Sequence, residues 1–151
     1  MKRHGEAPAG PAIGTRALGL LSALALLATA CAAPTTSDGR PIDVTGIWIG
    51  SYSTLLGHSG KSTLVLRQDG EIVTGTIQIT SADRSFGAAP RPIQGGHLSG
   101  TRLGVKAIGA DGGILGADLQ LSADGRQLSG GGRHTNLGYD AWLQFSHTRA
   151  D

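Results

Sequence analysis

The side chains with chemistry to offer are few, and none stands in a catalytic spacing. After residue 30 the histidines are His58, His97, His134 and His147. No two are spaced as a helical metal pair or a zinc ribbon would need. They read as strand or loop histidines with partial exposure. Asp69, Asp111 and Asp124 each precede a glycine and belong to turns. Glu71, Asp83, Asp118 and Asp140 form no visible acid–base pair. Gly60-Lys61-Ser62 matches the end of a phosphate-binding loop, but Leu55 stands where the loop needs its first glycine. Gly57-His58-Ser59-Gly60 starts like a nucleophile elbow, and Lys61 occupies its closing glycine. Gly112 to Asp118 approximates one calcium-binding nonapeptide, an architecture that needs stacked repeats. It reads better as a hairpin turn followed by a strand. The sequence thus assigns no catalytic residue, no metal ligand and no cofactor, and the expectation is a non-enzymatic protein.

Cys31 is the only cysteine, so no disulfide can form within the chain. Ahead of it lie a basic start with Lys2, Arg3 and Arg16, and an uncharged apolar run from Ala17 to Ala30. A charged start, a short apolar stretch and small residues before a cut make a secretory signal. The run is shorter than the roughly 20 residues that span a bilayer as a helix. Leu27-Ala28-Thr29-Ala30-Cys31 resembles the lipobox of bacterial lipoproteins, with Ala28 where that family usually carries Leu or Val. The resemblance implies cleavage before Cys31 and lipidation of that residue. The partner would then be a membrane, held through the lipid. Ala32 next to the cysteine, in place of Asp, implies the outer membrane, facing the periplasm.

Residues 1–30 would be the signal, and their loss removes Lys2, Arg3, Arg16 and Glu6. The remainder has ten basic and ten acidic residues. Such balance, with no basic patch, argues against a nucleic-acid partner. Residues 31–43, the lipidated cysteine and a small, polar stretch broken by Pro34 and Pro41, would form a flexible tether. The domain is expected over 44–149.

That domain has no sustained helical period. Short alternating apolar runs recur instead, separated by turn signals every 8–12 residues or so, as in an all-β sandwich or barrel. The runs predict eight strands near 44–53, 62–68, 71–80, 92–99, 101–109, 114–122, 126–134 and 140–148. Asp-Gly pairs at 69–70, 111–112 and 124–125 suit tight hairpins, and Ser99-Gly100-Thr101 suits another. Leu64, Leu66, Val73, Ile77, Ile79, Leu103, Val105, Leu115, Leu119, Leu143 and Phe145 share inward parity. Ile93 and Leu98 have opposite parity across Gly95-Gly96, which predicts a bulge there. The first strand stays ambiguous, with Trp48, Gly50 and Tyr52 on one face and Ile47 and Ile49 on the other. The fold expected is all-β: a single antiparallel up-and-down eight-stranded β-barrel after a cleaved signal and a short linker.

Eight meander strands that open on Gly46-Ile47-Trp48 resemble the small calycin-type barrels of lipocalins, avidins and bacterial metalloprotease inhibitors. The resemblance implies that Trp48 plugs one end and that a basic residue late in the chain, Arg149, packs on it. The chain departs from those families in lacking a disulfide, the several tryptophans of avidins and the terminal helix of lipocalins. An eight-stranded barrel can be filled by side chains or hold one small ligand. Small inward residues such as Gly75, Ala107 and Ala117 are consistent with a cavity. Trp48, Tyr52 and Phe145 would then line it, with Phe86 and Leu56 at the mouth either as a lid or as plugs over the core. Two functions follow from the sequence. One is an envelope lipoprotein that binds a small apolar ligand. The other is an interaction module with a filled barrel, such as an inhibitor of an exported hydrolase.

Overall fold

A computed structural model describes residues 35–37, 39–81, 89–136 and 139–151. The chain divides into two compact units, Met1–Cys31 and Ala32–Asp151. The expected signal, the lipidation site Cys31 and Phe86 lie outside the described residues.

The second unit is all-β. Its strands are β1 (Gly46–Thr54), β2 (Ser59–Asp69), β3 (Ile72–Ser81), β4 (Arg91–Ser99), β5 (Arg102–Ile108), β6 (Ile114–Leu121), β7 (Gln127–Asn136) and β8 (Tyr139–Arg149). Each pairs antiparallel with its sequence neighbours, and β1 pairs with β8, which closes the barrel. The turns are those the sequence demanded: Gly70, Gly100, Gly112 and Gly125 all have positive φ, between 58° and 76°. A closed ladder leaves no free sheet edge. Its buried apolar core, among the described residues, is drawn from residues 42–145, all within Ala32–Asp151.

Period-two burial decides which side chains turn inward. On β1 the ambiguity resolves in favour of Trp48 and Tyr52, at 0% and 2% exposure, with Ile47 and Ile49 outside. Leu64, Leu103, Leu119, Leu128 and Leu143 are all buried inside. Each such leucine contributes about 2 kcal/mol by leaving water.

Closing eight strands into a narrow barrel requires sharp bends, and inward glycines supply them. A Cβ on Gly50 would lie 1.9 Å from the Ser146 carbonyl oxygen, and one on Gly130 2.1 Å from that of Asp118. Only a residue without a side chain lets the neighbouring strand come so close. The bulge expected on β4 is present, as a register shift between Ile93 and Gly95 against β5.

The barrel has two ends. Turns 70–71, 100–101 and 122–126 lie at one end, with the segment before β1. Here the structure differs from the tether expectation. Thr35 pairs with Pro41, and Ser37 N–H donates to the Ala123 carbonyl at 2.9 Å. Ile42 and Val44 are buried in the core. Alternation could not reveal this, because these residues precede the first strand and act as a plug. The opposite end, called the mouth below, carries the connections 55–58 and 109–113 and the adjoining ends of β3, β4, β7 and β8.

Candidate functional site

The plugged end is built by Trp48. Its indole N–H donates to the Val44 carbonyl at 2.9 Å, and the Arg149 guanidinium carbon lies 4.8 Å from the ring centroid. Arg149 also donates to the Asp43 carbonyl. This is the stacking expected of these two residues, brought about because Trp48 and Arg149 are direct partners across β1 and β8. Gln68 latches the plug. Its amide oxygen accepts from Val44 N–H at 2.9 Å, and its amide nitrogen donates to the Ile42 and Gly70 carbonyls. Trp48 is therefore a structural stopper and does not line a cavity.

The interior next to this plug has a different character. Ser62 and His147 are both partners of Gly50, and both are 1% exposed. Ser62 Oγ has no hydrogen-bond partner. The His147 ring stacks at 5.8 Å on Phe145, whose ring lies 6.4 Å from that of Tyr52. Neither His147 nitrogen has a partner of good geometry. Burial pushes its pKa down to about 4, and the Leu128 carbonyl opposes this weakly. His147 is thus neutral at physiological pH. The expectation of partly exposed histidines fails here and at His134, which is 3% exposed. Both continue the inward parity of their strands.

At the mouth His134 lies against the β5–β6 turn. Its Nε2 is 3.4 Å from Asp111 Oδ2. The turn accommodates the ring because it is glycine there: a Cβ on Gly113 would lie 2.5 Å from Nε2. Asp111 is held by Gly113 N–H at 2.9 Å and by the Asn136 amide at 2.8 Å. Burial raises its pKa, but the Gly113 hydrogen bond, the nearby His134 and Asn136 outweigh it, so the carboxyl sits below its ordinary range.

A cavity of about 30 Å³ opens beside this group, lined by Ile77, Ile79, Ala89, Arg91, Ala107, Ile108, Gly109, Leu115 and His134. Arg91 shares the inward parity of Ile93 and pairs with the inward Ile77. Its Nε is buried with no acceptor among the described residues. The β3–β4 ladder is paired beside the cavity and irregular further towards the plugged end. β3 and β4 pair at Ile72–His97, Thr76–Pro92 and Ile77–Arg91, with a register shift between the first two. Pro92 has no N–H to give to the ladder.

Of the residues singled out from sequence, Tyr52 and Phe145 are brought together inside; they do not line the cavity beside His134 but do border a depression of about 440 Å³ with Ser51, Ser53, Ser59 and Gln144. Leu56 is 70% exposed on the β1–β2 connection, so it does not fold back as a plug. Sequence reasoning missed Arg91 and His134. Their signal was parity, masked by polar identity. Among the described residues no group of three or more His, Cys, Asp or Glu is placed to hold a metal ion.

No protein-family model matches the chain, and no curated protein is significantly similar to it in sequence. Solved structures do match in fold. A redesigned β-barrel, b11L5F_LGL, superposes with a TM-score of 0.56 at 14% identity, over 71% of this chain and 91% of that one. The structure of EF1p2_mFAP2b bound to DFHBI gives a TM-score of 0.56 at 12% identity, over 70% and 93%. At such identities the likeness establishes a closed eight-stranded antiparallel barrel.

Proposed function

We propose that the chain is a non-enzymatic lipoprotein of the cell envelope, anchored through a lipid on Cys31 in the outer membrane and facing the periplasm. Its barrel binds a small, largely apolar ligand at the mouth. One observation carries the ligand reading. The barrel is solid at the Trp48 end, whereas the mouth half keeps a cavity with an aliphatic wall and two inward polar side chains, Arg91 and His134. Binding sites are mostly apolar with a few placed polar groups, and barrel mouths are a usual place for them. A cavity of about 30 Å³ holds only a water or two. A ligand therefore has to widen the site as it binds. A barrel of the same fold has been solved bound to DFHBI, which shows that this architecture accommodates a ligand.

The test is a titration of Ala32–Asp151 with the neutral probe N-phenyl-1-naphthylamine. Saturable fluorescence enhancement and a raised Tm are expected. No enhancement and no thermal shift would overturn the ligand reading. The anchor is tested separately by mass spectrometry of the exported chain. A lipid-sized mass increase on the peptide beginning at Cys31, abolished by Cys31→Ser, is expected. An unmodified cysteine would refute it.

The interaction-module reading has an observation of its own. Leu55 and Trp142 are 84% and 59% exposed and flank an outer depression of about 210 Å³ lined also by Ser53, Thr54, Leu143 and Gln144. Clustered exposed apolar side chains favour a partner protein. Inhibition of an exported hydrolase by the domain, lost in Trp142→Ser, would move the balance to this reading.

A further inference from the structure

We propose that the mouth site selects an anionic amphiphile: a ligand with a short apolar tail and a carboxylate head that meets the Arg91 guanidinium. This rests on the reading that the mouth takes a ligand, and it names the ligand's class.

Arg91 differs from the other arginines of the barrel by its place, although the Arg149 Nε is also buried without a hydrogen-bond partner. Arg102 lies 3.7 Å from Asp118, Arg133 pairs with Asp140, and Arg149 lies on Trp48 and donates to a carbonyl. All three work on the outside of the barrel or at its plugged end. Arg91 sits on the inner face at the cavity, and no acceptor among the described residues meets its buried Nε. A guanidinium cannot shed its charge by losing a proton, so burial without an anion is costly. The carboxylate on the same side, Asp111, is already engaged by Gly113, Asn136 and His134. Among the described residues no carboxylate meets the Arg91 Nε, and the head group of a ligand would supply that anion.

The rest of the lining specifies the remainder of the ligand. Ile77, Ile79, Ala107 and Leu115 offer only aliphatic surface, which suits a hydrocarbon tail. The planar guanidinium fork matches a carboxylate in two parallel hydrogen bonds, which a hydroxyl cannot reproduce. His134 flanks the same cavity. A neutral ligand would fill the apolar part and leave Arg91 unmatched. A cationic one would be repelled.

The experiment holds the tail constant and varies the head. Octanoate, 1-octanol and octylammonium compete with N-phenyl-1-naphthylamine for Ala32–Asp151. Octanoate is expected to bind at least about tenfold more tightly than octanol, the gain of a charge-assisted hydrogen bond, with octylammonium weakest. Arg91→Gln is expected to remove the advantage of octanoate over octanol. Arg91→Lys keeps the charge without the fork and retains part of the preference. Equal binding of octanoate and octanol by the parent overturns anion selectivity while leaving ligand binding intact. Failure of the neutral probe itself overturns the reading beneath it. If Arg91→Gln does not fold, the head-group series on the parent and the lysine variant still decide.

Discussion

Acidification strikes this barrel through His147. The side chain is 1% exposed, and burial holds its pKa near 4 against an ordinary value of 6.5. The unfolded chain therefore takes up the proton first as pH falls. The stability associated with the neutral, buried ring is fully present above pH 6.5. It is lost as pH falls from there towards 4, and the loss saturates below. A separation of some 2.5 units between the two states corresponds to about 3 kcal/mol at the acid limit, and to about 2 kcal/mol at pH 5. For a small domain that is a large share of the total. Asp111 and Asp124 also have lowered pKa values, so their contributions fade only below their ordinary value of 3.8, under the histidine window. Urea midpoints of Ala32–Asp151 at pH 7.5, 6.0, 5.0 and 4.5 measure the slope. His147→Leu, which cannot titrate and matches its apolar surroundings, is expected to flatten it. Should His147→Leu lose stability between pH 6.5 and 4.5 as steeply as the parent, the assignment of the slope to this ring is wrong.

Three further outcomes test the geometry. Gly50→Ala puts a methyl 1.9 Å from the Ser146 carbonyl oxygen and should cost more than about 3 kcal/mol by chemical denaturation, whereas Gly116→Ala, with nothing within 4 Å, should stay within about 1 kcal/mol. Leu143→Ala, at 1% exposure, should cost about 3 kcal/mol, while its neighbour Trp142→Ala should cost under about 1 kcal/mol despite losing the Arg133 contact at 5.6 Å. Equal costs for that pair would refute the inside–outside assignment of β8. Trp48→Phe gives up the Val44 hydrogen bond and part of the Arg149 stacking, and should lower stability by about 2–3 kcal/mol in the same assay.

Alternation read along the chain locates the barrel well because each strand has one dry face. Leu64, Leu66 and Val73 through Ile79 fall inward as their parity requires. Even the anomaly at Gly95-Gly96 was legible, since a parity reversal across two glycines has few structural solutions. The polar interior was not legible, for a specific reason. The inward series Ala141, Leu143, Phe145 runs on to His147, and Ile93 shares its face with Arg91. In each case the identity of the side chain argued for solvent while its position argued for the core. Position won, because a closed barrel cannot turn one residue outward without turning the whole strand. Ile42 and Val44 escaped for the opposite reason: they are apolar and buried, but they lie outside any alternating run.

The polar atoms of the interior fall into matched and unmatched groups, and the unmatched ones bear on function. At the plugged end the indole N–H of Trp48, both ends of the Gln68 amide and the Arg149 terminal nitrogen all find backbone partners. The Arg149 Nε is the exception there, buried without a partner. Further along the interior, Ser62 and His147, and Arg91 at the mouth, also bring polar atoms inside without hydrogen-bond partners. Apolar side chains of similar size would serve the fold better at these three positions, since a buried donor or acceptor left unmatched costs about 1–3 kcal/mol. The mismatch is therefore a local violation of the rules the rest of the barrel obeys, and such violations collect where a protein meets something other than itself.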